Sequence, residues 1–184
     1  MHIPAVRSLF VALLVALSAI ISAPASAAGK ADLERTSKSA LNKLVAKVAA
    51  ARTLNEKAVA VLVFPSITKA GFVVGGQFGE GVLWRGGKAV GYYSTTGASY
   101  GLQAGAQKYG YAMFFMNEQA LNALNTGDGF EVGVGPSVVL VDEGMAKSVT
   151  TTTAHNDIYA FIFGQTGLMA GLGIQGSKIT RIEK

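Results

Sequence analysis

The sequence predicts an α+β protein: a glycine-rich, mostly antiparallel β sandwich or partly closed barrel, with an N-terminal amphipathic helix and one short internal helix. Three observations carry this expectation. Leu33, Leu41, Leu44, Val45 and Val48 recur at helical spacing in an alanine-rich background of high helix propensity. After Lys57 that period disappears, and short runs rich in Val, Ile, Tyr and Phe alternate with turn signals. Many of the 23 glycines fall within or beside those runs, where they point to bulges, sharp coiling and close backbone approach.

Ahead of the helix lies a segment with the three zones of an export signal. His2 and Arg7 give a weakly basic leader, Ser8 to Ile21 is a charge-free apolar run of 14 residues, and Pro24 precedes the small-x-small site Ala25-Ser26-Ala27. A helix crossing a bilayer needs roughly 20 apolar residues, so the run is too short for a permanent span. Residues 1–27 are expected to be a cleavable signal peptide, cut after Ala27 or Ala28. Residues 28–184 are expected to form one domain, with the basic helix over about 31–53 and the β domain over 58–184. The expected location is the periplasm or cell envelope, peripheral to a membrane, with secretion as the alternative. The chain has no cysteine, so an exported domain is held by its core alone. That also excludes a lipoprotein anchor, a thiol nucleophile and thiolate metal sites.

The elements follow in order. The helical segment carries Lys38 and Lys47 beside its apolar face, with Arg35, Asn42 and Lys43 farther round. Ala58 to Phe64 reads as a buried strand closed by Pro65, and Gly71 to Gly75 and Gly81 to Arg85 read as short strands. Gly86-Gly87 supplies the positive φ angles of a tight hairpin turn into Ala89 to Tyr93. Ser99 to Gln107 and Gly110 to Met116 continue the pattern. Asn117 caps a short helix over Glu118 to Leu124, which the Thr126-Gly127-Asp128-Gly129 segment ends. Phe130 to Val134, Ser137 to Val141, Lys147 to Thr153, Ile158 to Phe163, Gly167 to Ile174 and Lys178 to Ile182 complete the strands.

Charge is distributed unevenly. Ala28 to Lys57 holds seven basic residues (Lys30, Arg35, Lys38, Lys43, Lys47, Arg52, Lys57) against three acids (Asp32, Glu34, Glu56), and Ala58 to Lys184 is balanced at eight of each. A basic amphipathic helix suits an anionic lipid surface, since flanking lysines lay their stems along apolar material and keep the ammonium in water. The same pattern also describes a helix packed on its own domain with a solvated outer face. The helix carries no Trp or Phe, which favours electrostatic contact over insertion.

The residues give no sign of an enzyme, and no catalytic site, metal site or cofactor is expected. Gly171-Leu172-Gly173-Ile174-Gln175-Gly176 has dinucleotide-fingerprint spacing, but that motif needs a following helix and the residues after it read as a strand. His155 is the only histidine after the expected cut, and with Asp157 it reads as a loop rather than a ligand set or triad. Nucleic acid is not an expected partner: the basic helix lacks interleaved aromatics.

The stretch Ala60-Val61-Leu62-Val63-Phe64-Pro65-Ser66-Ile67-Thr68-Lys69-Ala70-Gly71-Phe72, followed by Val73-Val74-Gly75-Gly76-Gln77-Phe78-Gly79-Glu80-Gly81-Val82-Leu83, closely resembles the SYLF family of lipid-binding domains. Gly101-Leu102-Gln103-Ala104-Gly105 and Phe114-Phe115-Met116-Asn117 add to the resemblance, which covers the expected mature chain. It implies a non-enzymatic phospholipid-binding domain at the cell envelope, with anionic phospholipids or a membrane surface as partner. An envelope structural or protein-interaction role, akin to actin binding in fungal relatives, is the alternative. The residues expected to meet lipid are Lys30, Arg35, Lys38, Lys43 and Lys47 on the helix, and Lys69, the lysine of the family motif.

Overall fold

A computed structural model describes residues 29–126, 129–132, 137–141, 155–167 and 176–184. The expected signal peptide, the strand expected over Lys147 to Thr153 and nearly all of that over Gly167 to Ile174 lie outside the described residues.

Helix α1 (Lys30–Lys47) is followed by α2 (Ala49–Lys57). A single helix over about 31–53 is therefore not what forms: Val48 is extended, with φ −115° and ψ 109°, and ends one helix while starting the next. A β-branched residue adopts this backbone readily. The break turns α2 so that Ala50, Ala51 and Leu54 are buried beside Leu33, Leu41 and Leu44 of α1. Arg52 closes the joint by donating to the carbonyls of Val45 and Ala46, both at 3.2 Å, which satisfies the last turn of α1.

The sheet is built on one long hairpin, β1 (Ala60–Arg85) and β2 (Lys88–Phe115), paired antiparallel throughout. The runs expected as separate short strands thus merge into two. Pro65 does not close a strand; it falls at a register shift between Phe64 and Ile67. Among the described residues β1 pairs only with β2, and an edge position tolerates a residue with no N–H to donate. Gly86 and Gly87 turn the hairpin at φ +56° and +78°, as their sequence predicts.

Along its other edge, β2 pairs with β6 (Lys178–Ile182) at Tyr92–Thr96 and with β5 (Ile158–Gly167) at Gln107–Phe115, both antiparallel. β3 (Phe130–Glu131) extends β6, and β4 (Val138–Leu140) pairs parallel with β5. The described strands form one mixed, mainly antiparallel sheet with helices on it: the α+β class is observed, in the form of a curled half-barrel rather than a two-sheet sandwich. Helix α3 (Glu118–Ala123) begins where expected, its Ala120 N–H donating to the Asn117 side chain at 2.8 Å.

Alternation along the strands separates two cores. Leu62, Phe64, Ile67, Leu83, Tyr109, Tyr111, Met113, Phe115, Ile158 and Ile179 fill the concave side. Val61, Val63, Val82, Trp84, Ala112, Phe114, Tyr159 and Phe161 face α1 and α2. The concave side closes because the hairpin folds back over itself. A Cβ on Gly81 would stand 2.6 Å from Phe64 Cδ1 and 2.8 Å from the Val63 carbonyl oxygen. Gly81→Ala is therefore expected to destabilise the fold by about 1–3 kcal/mol through overpacking, read as a lower urea midpoint at unchanged slope. A neutral result would mean that the two halves of the hairpin separate easily.

Candidate functional site

Helix α1 lies on the convex side of the sheet, pinned at its middle by a buried polar chain. The Trp84 indole N–H donates to Ser37 Oγ at 2.9 Å, and the Ser37 hydroxyl donates to the Val63 carbonyl at 3.3 Å. With Leu33, Ser37, Leu41 and Leu44 turned inward, the apolar face of the helix is already covered by its own domain. What it offers to a partner are its two flanks.

One flank is occupied by contacts within the domain. The Lys38 ammonium sits 4.8 Å from the centre of the Trp84 ring, and Lys30 lies 5.2 Å from that of Tyr92. The Tyr92 hydroxyl donates to Glu34, and this hydrogen bond, followed by burial, pushes the phenol up to about 12.

The other flank borders an open groove of about 910 Å³. Its helical wall is the stripe Thr36, Ser39, Ala40, Lys43, Leu44, Lys47. Pro65, Ser66, Thr68, Phe78, Gly79, Gly110 and Phe163 form the facing wall and floor, and Phe78 is 46% exposed. Three of the ionised groups that line it, Asp32, Arg35 and Glu80, are neutralised in place. Arg35 pairs with Asp32 one turn away, and Glu80 pairs with Lys184 at 2.9 Å, both members of that pair being largely buried. Lys43 and Lys47 are exposed and have no ion-pair partner among the described residues.

The six lysine and arginine positions expected from sequence thus separate. Arg35, Lys43 and Lys47 share the groove; Lys30 and Lys38 sit against aromatic rings on the domain. Lys69 is 8% exposed, on β1 opposite the buried Gln107, and so stands apart from the basic helix. The groove itself was not foreseen. Its signal is a run of small residues, Thr36, Ser39 and Ala40, at helical spacing beside the apolar stripe.

His155 is exposed, and Asp157 is engaged by Asn117 at 2.8 Å, which holds the start of α3. No cluster of three metal-ligating side chains occurs among the described residues. No helix among them is long and apolar enough to cross a membrane. The strand β6 follows the glycine triplet at 171–176, so the helix a dinucleotide fingerprint requires is not there.

Fold and site define an α+β domain with a curled mixed sheet, a helical layer on its convex face and an open groove rimmed by two lysines without an ion-pair partner among the described residues. Residues 96–184 match the family model Ysc84, described as Las17-binding protein actin regulator, in agreement with the resemblance of the sequence to SYLF domains. The match takes in most of β2 and everything after it, including Gly110 and Phe163 of the groove, whereas α1 and β1 precede it. No curated protein matches the chain.

Proposed function

We propose that the protein is a non-enzymatic phospholipid-binding domain acting at the cell envelope, held at an anionic membrane surface by α1 and the adjoining β domain. The observation that carries this reading is the pair Lys43 and Lys47: exposed, without an ion-pair partner among the described residues, one turn apart and beside an apolar groove. The family match and the signal-like leader support it. Each lysine near an anionic surface contributes about 1 kcal/mol, so two give weak, reversible, salt-sensitive attachment, with Arg35 and the other basic residues adding to the field.

Sedimentation with vesicles tests it. The chain is expected to pellet with phosphatidylglycerol vesicles and not with pure phosphatidylcholine, and to be released by raised salt. Lys43→Glu with Lys47→Glu is expected to weaken the association by about tenfold or more, since neutralising the two positions alone removes about 2 kcal/mol. Binding equal to the parent's would remove the lysine pair from the mechanism.

The printed description of the matching family names a protein partner, which favours a second reading: a protein-interaction module of the envelope. On that reading association with vesicles would be indifferent to lipid charge.

A further inference from the structure

We propose that the groove beside α1 takes an acyl chain of a single anionic phospholipid, with Lys43 and Lys47 meeting its phosphate, so that the domain holds lipid one molecule at a time as well as resting on a surface. This rests on the phospholipid reading above and adds to it a defined site, a stoichiometry and a mode of binding.

Four features of the groove point to that occupant. Its size of about 910 Å³ is at the upper end of the roughly 300–1,000 Å³ of ordinary small-molecule pockets. It follows α1 from Asp32 to Val48, which at 1.5 Å per residue is about 24 Å. One leaflet of a bilayer holds its chains within about 15 Å, half of a hydrocarbon core of about 30 Å. The length therefore accommodates an extended chain and a headgroup together.

Its walls are apolar where a chain would lie: Leu33, Ala40, Leu44, Val48, Pro65, Phe78 and Phe163. Phe78, 46% exposed, is one of few large apolar side chains on the described surface, and covering it would remove that area from water. The remaining polar groups are short hydroxyls, from Thr36, Ser39, Ser66 and Thr68.

Its charge has one sign left to satisfy. Asp32 and Arg35 cancel, Glu80 is held by Lys184, and Lys43 and Lys47 remain. Both belong to the last turns of α1, so the cationic site is at one end of the groove rather than spread along it. An apolar channel with cations concentrated at one end is complementary to an amphiphile with an anionic head. A zwitterionic lipid meets the same lysines with its own cation, and a soluble phosphate leaves the apolar walls uncovered.

The probe is dioctanoyl phosphatidylglycerol, titrated as monomers into the parent chain by calorimetry. One lipid per chain is expected, with the dioctanoyl phosphatidylcholine counterpart at least tenfold weaker. Ser39→Trp, at an exposed helix position facing the groove, and Thr68→Trp, at an exposed strand position on the opposite wall, each fill the channel without altering charge. Both are expected to lose monomer binding by tenfold or more while still pelleting with phosphatidylglycerol vesicles, and the second variant keeps the test decisive if the first folds poorly. Monomer binding that survives both blocks overturns the proposal. Vesicle association without any monomer binding overturns it too and leaves the surface reading standing. Loss of both kinds of binding in the parent chain removes the two readings together. A parent chain that is dimeric in solution and becomes monomeric with Ser39→Trp would show that a second copy fills the groove, which also overturns it.

Discussion

Trp84→Ala is expected to lower the free energy of unfolding by about 3–5 kcal/mol, as large-to-small changes at buried aromatic positions do. Trp84 is 9% exposed and lies under α1, where it makes three kinds of contact. Its ring packs in the core shared by Leu33, Leu41, Leu44, Val61 and Val82, its N–H reaches Ser37, and its face receives the Lys38 ammonium at 4.8 Å. Truncation removes all three at once and leaves the Ser37 hydroxyl without its donor in a buried setting. Trp84→Phe separates the contributions. It retains most of the apolar area and a ring for Lys38, and loses chiefly the hydrogen bond, for an expected cost of about 1 kcal/mol plus the smaller volume. Because the chain has a single tryptophan, unfolding in these variants is followed by circular dichroism rather than fluorescence. A loss below about 1 kcal/mol for the alanine variant would mean that leucine packing alone docks the helix.

That junction also shows where sequence reading reaches its limit. The helical period of Leu33, Leu41 and Leu44 identifies a face that must be buried, and it is. Which flank of the helix is then open depends on residues far away in the chain. Lys38 meets Trp84, 46 positions later, and Lys43 borders Phe163 across the groove. Side by side in sequence terms, the two lysines look alike; the sheet makes one a ring contact and leaves the other unpaired. Lys69 was singled out by a motif, and the strand on which that motif lies turns it inward beside Gln107.

Local chemistry was more legible. Gly86-Gly87 supplies a turn that few other pairs can, and Asn117 presents a side-chain acceptor where α3 needs one, so both are readable from neighbours alone. The strand lengths were not. Pro65 and the glycines of residues 71–81 are ordinary breakers, and here they sit in one continuous edge strand that bends instead of ending. A breaker states that regular pairing is disturbed, while the long partner strand β2 decides whether the chain leaves the sheet or coils within it.

The concave core sets the second large expectation, a steep loss of stability in alkali. Tyr109 and Tyr111 are each 2% exposed, and burial pushes the Tyr109 phenol up to about 12 and that of Tyr111 higher still. In the unfolded chain both ionise near pH 10. Between pH 10 and 12 the unfolded state therefore binds fewer protons than the folded state, and stability falls as pH rises. Below pH 10 the two states bind these protons equally, so the contribution is constant there. With two such groups the slope approaches about 2.7 kcal/mol per pH unit, enough to consume most of an ordinary stability within the window. The two tyrosines differ at neutral pH. Tyr109 donates to Gln77 at 2.8 Å, whereas the Tyr111 hydroxyl is buried with no hydrogen-bond partner among the described residues, although its ring stacks on Phe64 at 6.2 Å. Tyr111→Phe keeps that stack and removes an unsatisfied group, so it is expected to stabilise the protein by about 1 kcal/mol at pH 7. The same change takes one proton, about 1.4 kcal/mol per pH unit, out of the alkaline slope. Tyr109→Phe takes the phenol donor from the Gln77 side-chain carbonyl, whose amide N–H still donates to Ser177, and is expected to cost about 1 kcal/mol at pH 7 while relieving the slope equally. Urea unfolding at pH 7, 10 and 11 reads both effects. Slopes unchanged in both variants would show that the concave core does not hold these phenols neutral.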